Sequence, residues 1–396
     1  KKSAQKPSVK PSAVDNGHKL SSCPIVGIGA SAGGLAAFKT LFSHMPDDSG
    51  MAFVLVPHLD PSHQSLMVEL IATQTEMSVC EAQHDMAIQP DHIYIIPPGK
   101  YLSLQDGKLQ LSTPPQSGRI DTAIDFFLRS LVQDQLEKAI GIILSGTSSH
   151  GTLGLQAIKA NGGLAMVQHP DSAEYKSMPQ NAIDSGIVDF ILPPAEMPAA
   201  LIKYIQHAYV SGLWTRTELA ESESGQLDRV LKMLRVHTRY DFRNYRKNMI
   251  RRRVQRRMGL KHINQLHEYA ELLAKNPEEA KQLLRDLLIS VTGFFRDPES
   301  YTVLQQSVIP QWLTRKDHDT PLRIWIPGCA SGEEAYSIAI LLIEQFSAAQ
   351  QPLNLQIFAT DIDETALDIA RQGLYPVSIA ADIEPQRLKR FFTSSD

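Results

Sequence analysis

The chain has 396 residues and a formal net charge of −4 at pH 7. That length accommodates two or three domains with buried cores, and so small a charge excludes a polyanion mimic or a generic nucleic-acid binder. Its three scattered cysteines, Cys23, Cys80 and Cys329, form no C-x-x-C pair, which argues against a disulfide framework or a metal site and fits a reducing, cytoplasmic setting.

Residues 1–22 are basic and polar and lack the apolar stretch of a secretory signal, so a disordered lead-in is expected. No run reaches membrane-span length, and no membrane insertion is expected. The absence of an initial Met reads as a fragment. From residue 25 to about 194 short β-type runs alternate with helical ones, which predicts an α/β fold with a doubly wound parallel sheet. Strands are predicted at 25–28, 51–56, 92–96, 139–144, 164–168 and 188–192, and helices at 35–44, 64–74, 120–136, 154–160, 178–185 and 196–208. A hairpin-like excursion at 101–111 and a polar loop at 112–118 interrupt the series. A Ser-rich charged linker centred on 221–225 leads to an all-helical region from 227 to about 288, and a second α/β pattern starts at Arg323.

Between the first predicted strand and helix stands Gly29-Ala30-Ser31-Ala32-Gly33-Gly34. In a G-x-S-x-G turn the glycines permit a tight strand-to-helix corner that lifts the serine above the sheet, with backbone N–H groups facing a developing oxyanion. Ser31 is therefore a candidate nucleophile for acyl transfer. The same letters read as Gly27-x-Gly29-x-x-Ala32, a loose dinucleotide fingerprint. The second strand, however, ends in Pro57-His58-Leu59-Asp60, with a histidine where a ribose-binding acid is wanted. A plain tight turn with a surface serine is the third reading.

Ser31, His58 and the loop Leu144-Ser145-Gly146-Thr147-Ser148-Ser149-His150-Gly151 all fall at the C-terminal ends of predicted strands, where open α/β sheets place their sites. Together with Ser62 to Leu70 and Met178-Pro179-x-x-Ala182, these segments resemble the catalytic domain of chemotaxis receptor methylesterases (the CheB type) over about residues 23–208. The resemblance implies Ser31 as nucleophile, His58 as general base and hydrolysis of a glutamyl methyl ester on a chemoreceptor helix. It implies an oxyanion site at the amides around Gly33 and Gly34, helped by that near Thr147. The chain departs from the family at His150, which stands where an Asp orients the catalytic histidine. A neutral imidazole accepts a hydrogen bond but brings no charge, and losing the carboxylate costs about four orders of magnitude in turnover, roughly 5 kcal/mol. A weakened esterase is expected unless another acid substitutes, with Asp60 and Asp171 as the nearest candidates. No receiver domain precedes Cys23, so regulation by phosphorylation in cis is not expected.

From Gln226 to Leu260 twelve Lys or Arg residues face only Asp228 and Asp241. Charge alone suits nucleic acid, a membrane surface, an acidic protein or a solvated helix face. No aromatic stacking platform accompanies it, and no nucleic-acid partner is expected. Beyond it, Ser290-Val291-Thr292-Gly293-Phe294-Phe295-Arg296-Asp297, Trp325-Ile326-Pro327-Gly328-Cys329-Ala330-Ser331-Gly332-Glu333-Glu334-Ala335-Tyr336-Ser337 and Ala359-Thr360-Asp361-Ile362-Asp363 resemble the chemotaxis receptor methyltransferases (the CheR type). The resemblance implies a Rossmann-like domain using S-adenosylmethionine, with Ser290, Thr292, Arg296, Glu334 and Asp361 at cofactor-contacting positions. Ser290 stands where the family usually has Asn. The basic helix, with Arg251, Arg252 and Arg253, then suits docking of a Glu-rich methyl-accepting receptor helix. Only two strands of a fold that needs about seven precede Asp396, so an incomplete, inactive methyltransferase is expected.

The division expected is a tail at 1–22, a methylesterase-like domain at 23–208, a linker at 209–225, a helical domain at 226–290 and an incomplete S-adenosylmethionine-binding domain at 291–396. The expected function is receptor modification in bacterial signal transduction. The alternative is a catalytically impaired receptor-binding scaffold.

Overall fold

The computed structural model describes residues 23–58, 66–114, 122–207, 222–289, 292–314, 320–376, 379–380 and 382–394. The tail, Asp60 and most of the expected linker lie outside them.

The first region is a seven-stranded sheet in the order β10-β9-β8-β1-β2-β5-β3, with every neighbouring pair parallel. The strands are β1 (Ile25–Ala30), β2 (Ala52–Pro57), β3 (Ser78–Glu81), β5 (His92–Ile95), β8 (Ile140–Ile143), β9 (Leu164–Gln168) and β10 (Phe190–Leu192). Central strands buried on both faces read as continuous apolar runs, and β1, β2, β8 and β9 are buried at every residue. β4 (Met86–Ala87), β6 (Tyr101–Gln105) and β7 (Lys108–Ser112) form a small antiparallel sheet that contains the expected hairpin. The edge strand β3 was not anticipated, because its half-exposed residues show neither alternation nor a continuous apolar run.

Helices cover both faces. α1 (Gly34–Ser43), α2 (Met67–Ala72) and α6 (Met197–Ile205) pack Phe38, Leu41, Ile71 and Leu201 against Val26, Ile28, Phe53 and Leu55. α3 (Ala123–Gln135), α4 (Thr152–Ala160) and α5 (Ser177–Asp184) pack Phe127, Leu128, Leu155 and Met178 against Ile25, Val54 and Ile143 on the other face. From β1 the chain fills one side of the sheet, passing through β2 to the edge strand β3 and back to β5 between them, then crosses to β8 and runs outward to β9 and β10, so the switch point lies between β1 and β8.

Gly27 and Gly29 serve this packing. A Cβ on Gly27 would lie 2.8 Å from Leu128 Cδ2, and one on Gly29 2.5 Å from Ile124 Cγ2. The two glycines let α3 approach the strand, which accounts for the dinucleotide-like spacing without a nucleotide.

The helical region comprises α7 (Ser222–Thr238), α8 (Lys247–Lys261), α9 (Leu266–Lys275) and α10 (Pro277–Leu288) around Val230, Leu234, Ile250, Val254, Tyr269 and Leu283. α7 begins inside the segment expected as linker. α11 (Pro298–Val303) and α12 (Ile309–Leu313) lead into β11 (Leu322–Pro327), α13 (Glu333–Ala348), β12 (Leu355–Thr360), α14 (Glu364–Gln372) and α15 (Pro385–Phe391). β11 and β12 pair in parallel, with Trp325 opposite Phe358 and both exposed.

Candidate functional sites

Ser31 follows β1 directly and precedes Gly33, whose φ of 73° is left-handed and opens α1. Three bonds fix this corner: the Ser31 N–H donates to Ser145 O at 2.9 Å, the Gly34 N–H to Ser31 O at 2.9 Å, and the Ser145 hydroxyl to Ala32 O at 2.8 Å. The Ser145 N–H in turn donates to the buried Gln168 Oε1 at 2.8 Å, so the loop after β8 is tied to β9. His58 follows β2, and its N–H donates to Ala30 O at 2.9 Å. Ser31 and His58 line one cavity of about 390 Å³, together with Gly33, Gly34, Lys39, Met67 and Glu174. No hydrogen bond joins their side chains, and in hydrolases that bond commonly tightens only when substrate binds.

The expected oxyanion donors need one correction. The Gly34 N–H is already bonded to Ser31 O, whereas the N–H groups of Gly33 and Thr147 have no partner among the described residues. Gly146 brings the second loop against the nucleophile, since a Cβ there would lie 3.0 Å from Ser31 Cβ.

His150 lies beside His58, with ring centroids 6.0 Å apart and planes at 85°. Burial pushes its pKa below the ordinary histidine value; the Asp125 charge opposes that shift and His58 adds to it. Asp171, one of two substitutes considered for the missing acid, is instead an exposed residue paired with Lys176 at 2.9 Å. Asp60 lies outside the described residues.

The second site surrounds the loop between β11 and α13. Asp361 follows β12, and its two oxygens accept the N–H groups of Ala330 and Asp363, each at 2.8 Å. Burial raises the Cys329 thiol pKa, followed by the charges of Asp361, Glu334 and Glu333, which therefore gather at this loop. Thr292 is hydrogen-bonded to Glu333, which also accepts the Ser331 hydroxyl at 2.9 and 2.7 Å. Burial raises the Glu333 pKa despite those donors. Glu334 is exposed in the first turn of α13, Arg296 is exposed, and Ser290 lies outside the described residues.

The basic helix α8 does not present its arginines to solvent as a single face. Arg256 is fully buried; it donates to Gly163 O at 2.9 and 3.1 Å, to Asp286 at 2.6 Å and to Asp189. Lys159 of α4 reaches Asp189 at 2.8 Å and Asp286 at 3.5 Å. Arg253 donates to Lys159 O at 2.9 Å and to Ala160 O, at the end of α4. Arg257 is held by Glu279 at 2.6 Å. Thus α8 is bolted to the first region, and the expectation that Arg253 stands free for an acidic partner is corrected. Arg246, Lys247 and Arg252, with Arg253 at its edge, line an open cavity of about 630 Å³ beside the end of α4.

The comparisons with known proteins agree with this architecture. The CheB methylesterase family matches residues 26–201. A putative protein-glutamate methylesterase/protein-glutamine glutaminase of Leptospira interrogans is 31% identical over 181 residues, 46% of this chain and 94% of that protein. The chain belongs to the CheB methylesterase family. It is a CheB–CheR fusion, because the all-alpha domain of CheR methyltransferase matches residues 225–288 and the CheR SAM binding domain residues 290–396. A Rhodobacter capsulatus protein, described as an uncharacterized 104.1 kDa protein in the hypE 3' region, is 32% identical over 348 residues. That match covers 83% of this chain, which spans 36% of the Rhodobacter protein's length. The crystal structure of the Thermotoga maritima CheB methylesterase catalytic domain has 27% identity and a TM-score of 0.43, covering 46% of this chain and 98% of that one.

In the CheB domain Ser31, His58 and His150 therefore come together from three separate loops. Sequence reading assigned no role to Ser145 or Gln168. Ser145 lay inside the quoted loop, while Gln168 gave no signal beyond ending a predicted strand. In the CheR region Glu333, rather than the adjacent Glu334, is the acid that meets Thr292.

Proposed function

We propose that the CheB domain hydrolyses protein glutamate methyl esters, with Ser31 as nucleophile and His58 as general base. The observation that carries this reading is the placement of Ser31, on a tight strand-to-helix corner, in one cavity with His58. His58 takes the Ser31 proton as Oγ bonds to the ester carbonyl carbon; the tetrahedral intermediate collapses, and methoxide leaves as methanol with that proton. Water then attacks the acyl-enzyme, giving its proton to His58, and Ser31 regains a proton as the glutamate carboxylate departs. The Gly33 and Thr147 N–H groups suit the oxyanion.

The CheR region is proposed to bind S-adenosylmethionine, whose sulfonium methyl is the group transferred to an ionised glutamate. Asp361 fits that cofactor: it accepts two backbone N–H groups and, with roughly four lone-pair sites on a carboxylate, retains capacity for two ribose hydroxyls. Thr292, Arg296 and Glu334, with Ser290, are the remaining residues proposed to contact it, and Glu333 orders the loop from beneath. A deprotonated acceptor needs alignment more than acid–base help. The proposed partner is a Glu-rich chemoreceptor-like helix in a cytoplasmic setting, and the proposed domain limits are 23–208, 226–290 and 291–396.

Methanol release from a receptor fragment carrying glutamate methyl esters tests the reading. Turnover that disappears in Ser31→Ala supports it; equal turnover in Ser31→Ala and the unaltered chain overturns it.

A further inference from the structure

The segment before α8 and α8 itself carry more positive charge than the acids around them absorb. Asp241 is taken by Arg235 at 3.3 Å and Arg243 at 2.6 Å. Asp189 and Asp286 are taken by Lys159 and Arg256, and Glu279 by Arg257 at 2.6 Å and Lys261 at 3.3 Å. Arg246, Lys247 and Arg252 are left exposed, with no carboxylate partner among the described residues. They are not spread over a convex face. All three, with Arg253, line the open cavity of about 630 Å³, and among the described residues no acid lines it.

The opposite wall is the turn that ends α4, Ala160 to Gly162. Arg253 fixes that wall against α8 by donating to Lys159 O at 2.9 Å and to Ala160 O. Like charges gathered in one concavity focus the field and raise the local concentration of anions. Guanidinium forks match phosphate oxygens bidentately, and the volume lies within the roughly 300–1,000 Å³ of small-molecule sites. Met249, 38% exposed at the same cavity, adds apolar surface beside the charges.

We propose that this cavity, between the end of the CheB-domain helix α4 and the start of α8 in the CheR all-alpha domain, binds a small polyphosphate: a free oligophosphate or the phosphate chain of a nucleotide. Arg246 and Arg252 grip phosphate oxygens with their forks, and Lys247 supplies a point charge. The ligand touches both domains and so adds to the joint that Arg256 makes between them. The site requires neither the esterase nor the methyltransferase chemistry proposed above.

Isothermal titration calorimetry of the full chain with inorganic tripolyphosphate and, separately, with ATP tests this, both without metal at about 0.15 M salt. Tripolyphosphate is expected to bind at one site per chain. Its affinity should fall at least about tenfold in Arg246→Ala and in Arg252→Ala, each of which removes charge-assisted bonds. It should change by less than about twofold in Lys281→Ala, which removes an equal charge from the exposed surface of α10. A thermal midpoint matching that of the unaltered chain verifies that each variant is folded. ATP no tighter than tripolyphosphate identifies the phosphate chain alone as the ligand. A tighter ATP whose affinity falls likewise in Arg252→Ala identifies a nucleotide, and both results uphold the proposal. No binding of tripolyphosphate to the folded chain would overturn it. So would equal losses in Arg252→Ala and Lys281→Ala, the mark of a general attraction for polyanions. A Glu-rich receptor peptide that binds through Arg252 where tripolyphosphate does not would assign the cavity to receptor docking and overturn it as well.

Discussion

Ser31 has its place because its neighbours are small. Gly27 and Gly29 let α3 lie against β1, Gly33 takes the left-handed turn, and Gly146 lets the second loop touch the nucleophile. Gly29→Ala should therefore cost about 1–3 kcal/mol by forcing Ile124 aside, read as a lower denaturant midpoint; an unchanged midpoint would show that the strand–helix contact is slack. The serine and the two histidines were legible in the sequence because a nucleophile corner is a local pattern of glycines and its partners end predicted strands. Asp125 was not legible. Its bonds to the Gly151 and Gly154 N–H groups, just after His150, cross 26 and 29 residues and depend on two helix N-termini meeting, which no local pattern encodes. Likewise, the choice of Glu333 over Glu334 as the partner of Thr292 depends on which side of α13 faces the chain, and adjacent identical residues carry no such information. Asp361→Ala removes the acceptor of two backbone N–H groups as well as the proposed ribose contact. Calorimetry should show S-adenosylmethionine affinity falling at least tenfold; unchanged affinity would move the ribose site elsewhere.

At the scale of elements, α8 was the misleading one. Twelve cations in one stretch suggest a docking face, yet charge composition does not reveal which side of a helix meets protein. The first strands and helices read well because buried parallel strands are continuous apolar runs, and β3 read poorly because an exposed edge is not. Arg256 of α8 is buried against Asp189 and Asp286, from the first region and from α10 respectively. Removing one partner of a buried ion network leaves the others uncompensated, so Arg256→Ala should destabilise the chain by about 3–5 kcal/mol. A single, unshifted thermal transition in that variant would contradict this. By contrast, Arg252→Ala, at the open cavity, should leave stability within about 0.5 kcal/mol.

Across the whole molecule, the network joins an esterase-family domain to a methyltransferase-family domain through charge rather than apolar contact alone. Leu260 adds an apolar anchor to the first core, and His207 donates to Ile263 O at 2.9 Å. Burial alone would raise the Asp286 pKa, but Arg256, then Lys159, Arg257 and Arg253, hold it below its ordinary 3.8. A carboxyl lowered in the folded state contributes stability that is present above about pH 3.8 and lost as pH falls through the lower native value. Acid titration followed by an interdomain fluorescence distance should show the two domains parting in that acidic range, with Asp286→Asn already weakened at pH 7. A distance independent of pH down to global unfolding would contradict it. Among the described residues no helix is long and apolar enough to cross a membrane.

The proposed esterase chemistry requires that Ser31 be an activated nucleophile. Labelling the full chain with a fluorophosphonate and mapping the adduct by mass spectrometry tests it most directly. A single adduct on Ser31 is expected, formed far more slowly in His58→Ala and suppressed by an excess of methyl-esterified receptor peptide. An adduct on another serine, or none in a folded chain, would contradict it.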